Sequence, residues 1–254
     1  MPSIANHSIL IIGGSSGIGY AVAELALEQN TRVFISSSNP TRISNAVNSI
    51  REKFPAGDIQ GFPCDLKSDQ VESNIEKLLS QVVAANDGQL LDHIVFTAGD
   101  YLGIKPIAEI DAEFIHNAGK IRFVAPLLVA KLAARFVKQT YVSSFTITGG
   151  MVARKPMPSW TIYAAYISGL EGMTKNLALD LKPIRVNLVL PGAVDTELWG
   201  SVEERKGAME MLKDMSFQGR VASAAEVAES FIYLLRDTNA TGSTVTTEGG
   251  SVLK

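Results

Sequence analysis

The sequence predicts a doubly wound α/β fold, one sheet of about seven parallel strands with helices on both faces. Two observations predict it. Short apolar runs alternate with amphipathic stretches along all 254 residues. Several of these runs are apolar throughout, as strands buried on both faces are, and the intervening stretches are long enough for the crossover helices that parallel strands require.

Ser8–Ile12 is a continuous apolar run ended by glycine, and Gly17–Glu28 is helical in character. Arg32–Ser36 reads as the second strand. Asn39 caps a helix with Pro40 at its first position. Ile59–Pro63 is a weaker third strand. Ser68 is expected to cap a long helix with Val71, Ile75, Leu78, Leu79 and Val82 on one face. Leu91–Thr97 is the fourth strand, and Asp111–Phe136 a long helix that Pro126 should bend or break. Ser144–Thr148 is the fifth strand, followed by a Gly/Pro-rich loop through Ser159. Tyr163–Leu181 is a helix, Arg185–Leu190 a strand, Ala224–Arg236 a helix and Ser243–Thr247 the last strand. Trp199–Phe217 carries charges and methionines without a strand signal, and reads as a mobile helical flap over a substrate site. No repeat or linker divides the chain, so residues 1–254 read as one domain.

Composition sets limits. The chain is 46% hydrophobic, enough for a large core without disulfides or metal. A net charge of -3 disfavours nucleic-acid and membrane-surface binding, which need a basic face. A single cysteine, Cys64, suits a reducing compartment. No apolar run is long enough to span a bilayer, and Met1–Ser8 lacks the layout of a signal peptide. A cytoplasmic protein is expected.

The most informative segment is Ile12-Gly13-Gly14-Ser15-Ser16-Gly17-Ile18-Gly19, between the first strand and first helix. Glycines there let backbone approach a pyrophosphate, and the helix N-terminus offers free N–H groups and a positive dipole end. This is the context a Rossmann-type dinucleotide site requires. The tip of the second strand reads Ser36-Ser37-Ser38-Asn39, with Arg42 close behind and no carboxylate. An acid would accept from a ribose 2′-hydroxyl, whereas hydroxyls and a guanidinium fit a 2′-phosphate. NADP(H) is therefore the expected cofactor.

With these motifs in place, the chain resembles the short-chain dehydrogenase/reductase family over almost its full length. The Gly13–Gly19 loop matches that family's glycine pattern, with Ile12 where threonine is usual. Cys64-Asp65-Leu66 matches the segment whose aspartate contacts adenine, and Thr97-Ala98-Gly99 matches an Asn-Ala-Gly element. Pro191-Gly192-Ala193-Val194-Asp195-Thr196 matches the loop at the nicotinamide end, and Thr247-Glu248-Gly249-Gly250 a C-terminal Asp-Gly-Gly. The resemblance implies cofactor contacts at Gly13, Ser15, Ser16, Gly17, Ile18, Asp65, Leu66, Thr97, Ala98, Gly99, Pro191, Gly192, Ala193, Val194 and Thr196. It also implies a homodimer or homotetramer assembled through the long helices.

The family's catalytic set is incomplete here. Alignment through Leu170–Thr174 puts Tyr163 at the tyrosine position and Ile167 at the lysine position; the serine position falls at Gly149, and the asparagine position at Arg122, judged from the following Ala125-Pro126-Leu127. Without a lysine, Tyr163 should keep a phenol pKa near about 10 and act poorly as an acid. Tyr166 is the other tyrosine candidate; core or wall packing is the alternative for both. A carbonyl needs a proton or strong hydrogen bond at oxygen as hydride arrives, whereas an iminium ion already carries the charge that hydride neutralises. A site stripped of its acid therefore suits C=N⁺ reduction; an imine, iminium or carbonyl is the expected acceptor.

Within the family, the chain most resembles a divergent fungal branch that includes reductase/Diels–Alderases of the premalbrancheamide synthase type in indole-alkaloid pathways. Phe96–Asp100, Arg122, the loop Lys155–Trp160 and the missing lysine carry that resemblance. In the cyclising members the proline loop holds an acid where Met157 stands here.

Arg122 lies in an apolar stretch and needs a partner. It is a candidate to replace the lysine at the ribose or to bind a substrate carbonyl, against a structural ion pair. Asp100 is a candidate to stabilise a cationic substrate, against a loop or cap role. Met157, Trp160 and Trp199 are candidates for the substrate wall. His7, His93 and His116 have no ligand spacing, so no metal site is expected. The first reading is an NADPH-dependent reductase of a hydrophobic natural-product intermediate. A non-redox cyclase or isomerase and an inactive cofactor-binding protein remain as alternatives.

Overall fold

The computed structural model describes residues 2–254, the side chain of Val202 excepted. Met1, part of the N-terminal stretch read above, lies outside them. The elements are β1 (Ser8–Ile12), α1 (Gly17–Glu28), β2 (Arg32–Ser37), α2 (Pro40–Lys53), β3 (Asp58–Pro63), α3 (Val71–Ala85), β4 (His93–Phe96), α4 (Ala112–Gly119) and α5 (Ala125–Phe136). They continue with β5 (Ser144–Thr148), α6 (Thr161–Asp180), β6 (Arg185–Pro191), β7 (Val194–Asp195), α7 (Val202–Lys213), β8 (Ala222–Ser223), α8 (Ala224–Arg236) and β9 (Thr244–Thr247).

Seven strands form one parallel sheet in the order β3-β2-β1-β4-β5-β6-β9. β1 pairs with β2 on one side and β4 on the other, so Ile12 faces both Ser36 and Phe96. The chain winds outward in both directions from this pair. That topological switch leaves a crevice beyond the carboxyl ends of β1 and β4, where ligands of such sheets bind. The apolar runs are continuous because both faces are covered: β1 is buried at every residue. Leu10 and Ile12 pack toward α3, α5 and α6, while Ile9 and Ile11 pack toward α1, α2 and α8. Each such side chain stabilises the fold by about 1.5–3 kcal/mol relative to exposure.

The elements differ from expectation at a few ends. α3 begins at Val71, because Ser68 spends its hydroxyl on the Gln70 amide in a turn (3.1 Å). The fourth strand is shorter, with Leu91 in an isolated bridge to Val137. The long helix is not one helix. Asp111 caps α4, then Lys120–Val124 forms a π-helical turn, and α5 comes next with Pro126 in its first turn, where no intrahelical N–H is needed. Trp199–Phe217 is largely α7, started by a Ser201/Glu204 capping box. No helix among the described residues is long and apolar enough to cross a membrane.

Candidate active site

The glycine loop is built for close approach. Gly13 sits at φ +98°, and a Cβ there would lie 2.5 Å from the Ala98 amide nitrogen. A Cβ on Gly19 would lie 2.4 Å from both the Gly13 carbonyl oxygen and Thr97 Oγ1, so this glycine sets the contact between helix and strand. Ser16 is the N-cap of α1, but its side chain makes no capping bond, which leaves first-turn N–H groups facing out.

A cleft of about 460 Å³ runs over this loop. It is lined by Gly13, Ser15, Ser16, Gly17 and Ile18 at one level, and by Ser36, Ser37, Ser38 and Arg42 at the β2 tip. Asp65, Leu66, Thr97, Ala98 and Gly99 close its floor. The Ser36 hydroxyl is buried here without a protein partner. The donor set, the glycine cradle and this unused hydroxyl fit a dinucleotide.

The cleft continues into an apolar pocket of about 160 Å³. Pro191, Gly192, Ala193, Val194 and Thr196 form its far side, and Met157, Trp160 and Trp199 its outer wall. Trp199 is held by an Nε1–H donated to the Val194 carbonyl at 3.0 Å. Ile167 and Gly149 line it at the lysine and serine positions. A Cβ on Gly149 would lie 2.6 Å from Leu190 and 3.3 Å from Ile167, so these aliphatic groups fill the space a serine would need.

Arg122 comes from the π-helical turn and its side chain is only 10% exposed. Its guanidinium donates to the Asp100 carboxylate and to the Asp100 main-chain carbonyl. It sits 5.5 Å above the Tyr163 ring and lies against Gly99, whose lack of a side chain makes the room. Sequence spacing left Lys67 unnoticed: its ammonium is 3.1 Å from the other side of the Asp100 carboxylate. The only signal in the sequence was a cation next to Cys64-Asp65-Leu66, a segment assigned to the cofactor.

Three expectations need correction. Tyr166 lines neither cavity: its hydroxyl donates to the Ile115 carbonyl at 3.1 Å and its ring fills the space beside Gly119. Tyr163 lines neither cavity; it is buried between Trp160 and Phe114. Burial pushes its phenol above the ordinary value, opposed by Arg122, so it is a weaker acid than a free tyrosine. Asp100 opens on the cofactor cleft and is already engaged by two cations, Lys67 and Arg122.

His93 is buried in β4, with ring nitrogens 2.8 Å from the Ser144 hydroxyl and 3.0 Å from His7. Burial pulls its pKa down to about 3. Among the described residues no cluster of His, Cys, Asp and Glu could hold a metal ion.

Comparisons with known proteins identify the fold and the family. A model of the SDR-like Rossmann domain matches residues 2–254. The short-chain dehydrogenase/reductase ATR9 of Stachybotrys chlorohalonatus is 41% identical over 255 residues, covering 100% of both chains. The solved MalC reductase/Diels-Alderase of Malbranchea aurantiaca superposes with a TM-score of 0.91 at 36% identity, covering 98% of this chain and 97% of that one. A small-chain dehydrogenase solved in complex with NADPH superposes with a TM-score of 0.79 at 25% identity, over 98% of this chain and 100% of that one. With an SDR-like model spanning residues 2–254 and a relative matched end to end, this chain belongs to the short-chain dehydrogenase/reductase family.

Proposed function

We propose that the protein is an NADPH-dependent oxidoreductase that reduces an apolar natural-product intermediate without a built-in tyrosine–lysine acid. One observation carries the reading: an intact phosphate cradle opens into an apolar pocket whose lysine position is Ile167. Ser36, Ser37, Ser38 and Arg42 would hold the 2′-phosphate, Ser15, Ser16 and the α1 N-terminus the pyrophosphate, and Ala193, Val194 and Thr196 the nicotinamide end. A reduced nicotinamide there supplies hydride. The chain's own residues would exclude water with Trp160, Trp199 and Met157, and they place one cation, Arg122, on the pocket lining.

A C=N⁺ acceptor needs no acid, whereas a carbonyl acceptor needs a donor at its oxygen, for which Arg122 is the candidate. The fungal relatives support a role in secondary metabolism, and MalC, described as a reductase and Diels-Alderase, is the reason to keep cyclisation as a second reading. Met157 works against that second reading, because it puts a thioether where the resemblance places the cyclising members' acid. A homodimer or homotetramer in the cytoplasm completes the reading. Val124 and Leu127, 42% and 38% exposed where α5 begins, give the apolar face for assembly.

Fluorescence titration with NADPH and NADH tests the cofactor assignment, and absorbance at 340 nm then measures turnover of ketones, enones and cyclic iminium ions. Saturable binding with NADPH preferred, and turnover of at least one class, is the expected result. Absence of saturable binding to either cofactor would overturn it.

A further inference from the structure

We propose that Arg122 is an oxyanion-binding catalytic residue and that the substrate is a neutral conjugated carbonyl compound, of enone or quinone type, rather than a preformed cation. This rests on the reductase reading above and narrows it to a substrate class.

The first argument is the charge around the pocket. Among the described residues lining it, Arg122 is the only ionisable one. The carboxylate paired with Arg122, that of Asp100, faces the cofactor cleft and is shared with Lys67. The apolar pocket itself thus carries one formal charge on its lining, and that charge is positive. A cationic acceptor entering an apolar pocket meets that charge with little screening. An oxygen that gathers negative charge during reaction meets attraction instead, which favours the transition state over the ground state. A guanidinium has five N–H donors and Asp100 engages two of them, so donors remain for an oxygen in the pocket. Asp100, Gly99 and the Tyr163 ring fix the guanidinium in place.

The second argument is the fate of the product anion. Gly149 and Ile167 supply no proton, and Tyr163 does not reach the pocket. Hydride addition to a simple ketone would leave an alkoxide, whose conjugate acid is about as weak as water, with a pKa of roughly 16. Addition to a conjugated carbonyl leaves an enolate or phenolate, whose O–H form resembles tyrosine at about 10. Only the second survives beside an arginine until water protonates it. In this step the β-carbon gains hydride from the dihydronicotinamide, which becomes the oxidised nicotinamidium. The C=C pair moves through the carbonyl carbon onto oxygen, where Arg122 receives it, and water later protonates the α-carbon. Trp160 and Trp199 offer flat indole surfaces for such a planar substrate.

The first test needs no turnover. 4-Nitrophenol, titrated spectrophotometrically with the cofactor-free protein, should ionise when bound about one pH unit below its free value, a tenfold shift toward phenolate. Arg122→Met should abolish the shift, and Arg122→Lys, which keeps the charge, should retain part of it. Ionisation at or above the free value, or no saturable 4-nitrophenol binding, would overturn the proposal. The second test compares kcat/KM with 4-deuterated NADPH for 4-phenylbut-3-en-2-one, 4-phenylbutan-2-one and N-methyl-3,4-dihydroisoquinolinium. The enone should lead by at least tenfold, with deuterium at its β-carbon. Met157→Asp, which adds a carboxylate without touching Arg122, should move the ratio at least tenfold toward the iminium. A wild-type preference for the iminium or the saturated ketone would refute the substrate class. Failure of NADPH to bind would sink the reductase reading and the substrate class with it, whereas loss of the 4-nitrophenol shift alone would sink the oxyanion role of Arg122 and leave the reductase reading standing.

Discussion

Arg42→Gln separates the two nicotinamide cofactors. Arg42 lies in the first turn of α2, whose Asn39 cap accepts the Arg42 amide at 3.0 Å. Its backbone is therefore anchored while its guanidinium lines the cleft beside Ser36, Ser37 and Ser38. The substitution keeps the cap, the helix and much of the side-chain length, and removes the charge. An exposed ion pair contributes about 1 kcal/mol at most, and a fork-like arginine–phosphate contact up to about 3 kcal/mol. The site is open to solvent, so a loss of about five- to fifty-fold in NADPH affinity is expected, with NADH affinity unchanged. Fluorescence titration of both cofactors into both proteins measures it. Repeating the titration at roughly 0.05 M and 0.5 M salt should shrink the NADPH gap, because exposed charges are screened. An equal loss for both cofactors, or a gap insensitive to salt, would refute the assignment of the 2′-phosphate to this corner.

Gly13→Ala combines a φ of +98° with a Cβ 2.5 Å from backbone; it should lower stability by about 1–3 kcal/mol and abolish cofactor binding, read by thermal melting and titration. Arg185, 3% exposed, donates to the carbonyls of Tyr141, Val142, Leu234, Leu235 and Asp237. Lysine cannot reach them all, so Arg185→Lys should cost about 2–4 kcal/mol, or roughly 4–16 °C in Tm. His93 has its folded pKa depressed to about 3 against an ordinary 6.5. The unfolded chain therefore binds more protons between those values, and stability should fall as pH drops from about 6.5 toward 3, by up to about 1.4 kcal/mol per pH unit. Urea unfolding across that range should show the slope, and His93→Gln should flatten it. Burial raises the Cys64 thiol to about 11, so iodoacetamide should label it slowly at pH 8 in the folded protein and rapidly in urea.

The strands and the cofactor loop were legible because their signals are local. β1 is an unbroken apolar run and Gly13–Gly19 comes directly after it, so pattern and position coincide. Helix ends were less legible: Ser68 has capping chemistry but uses it in a turn one step early. Pro126 marked a break, yet the irregular turn lies before it at Lys120–Val124, where no residue signals a π-helix. The catalytic end depended on contacts between distant residues. Asp100 and Arg122 were each singled out, but their pairing across 22 positions, and the arrival of Lys67 from another loop, come from the sheet's topology. Alignment set Tyr163 above Tyr166, but packing does not show in sequence: Tyr163 is buried against Trp160, and the half-buried Tyr166 packs against Gly119.

The widened turn at Lys120–Val124 also bears on how such a pocket changes chemistry. One additional residue within a helix rotates everything upstream by about 100° relative to the helix beyond it. Here the downstream half, α5, keeps Ala125, Val129 and Ala133 locked in the core, while the turn itself brings a guanidinium to Asp100, beyond the carboxyl end of the central strand β4. A protein made this way can trade its reactive group by changing helical phase, with the packed half left undisturbed. Removing one residue from 120–124 should therefore swing Arg122 off Asp100 while the sheet and α5 stay assembled.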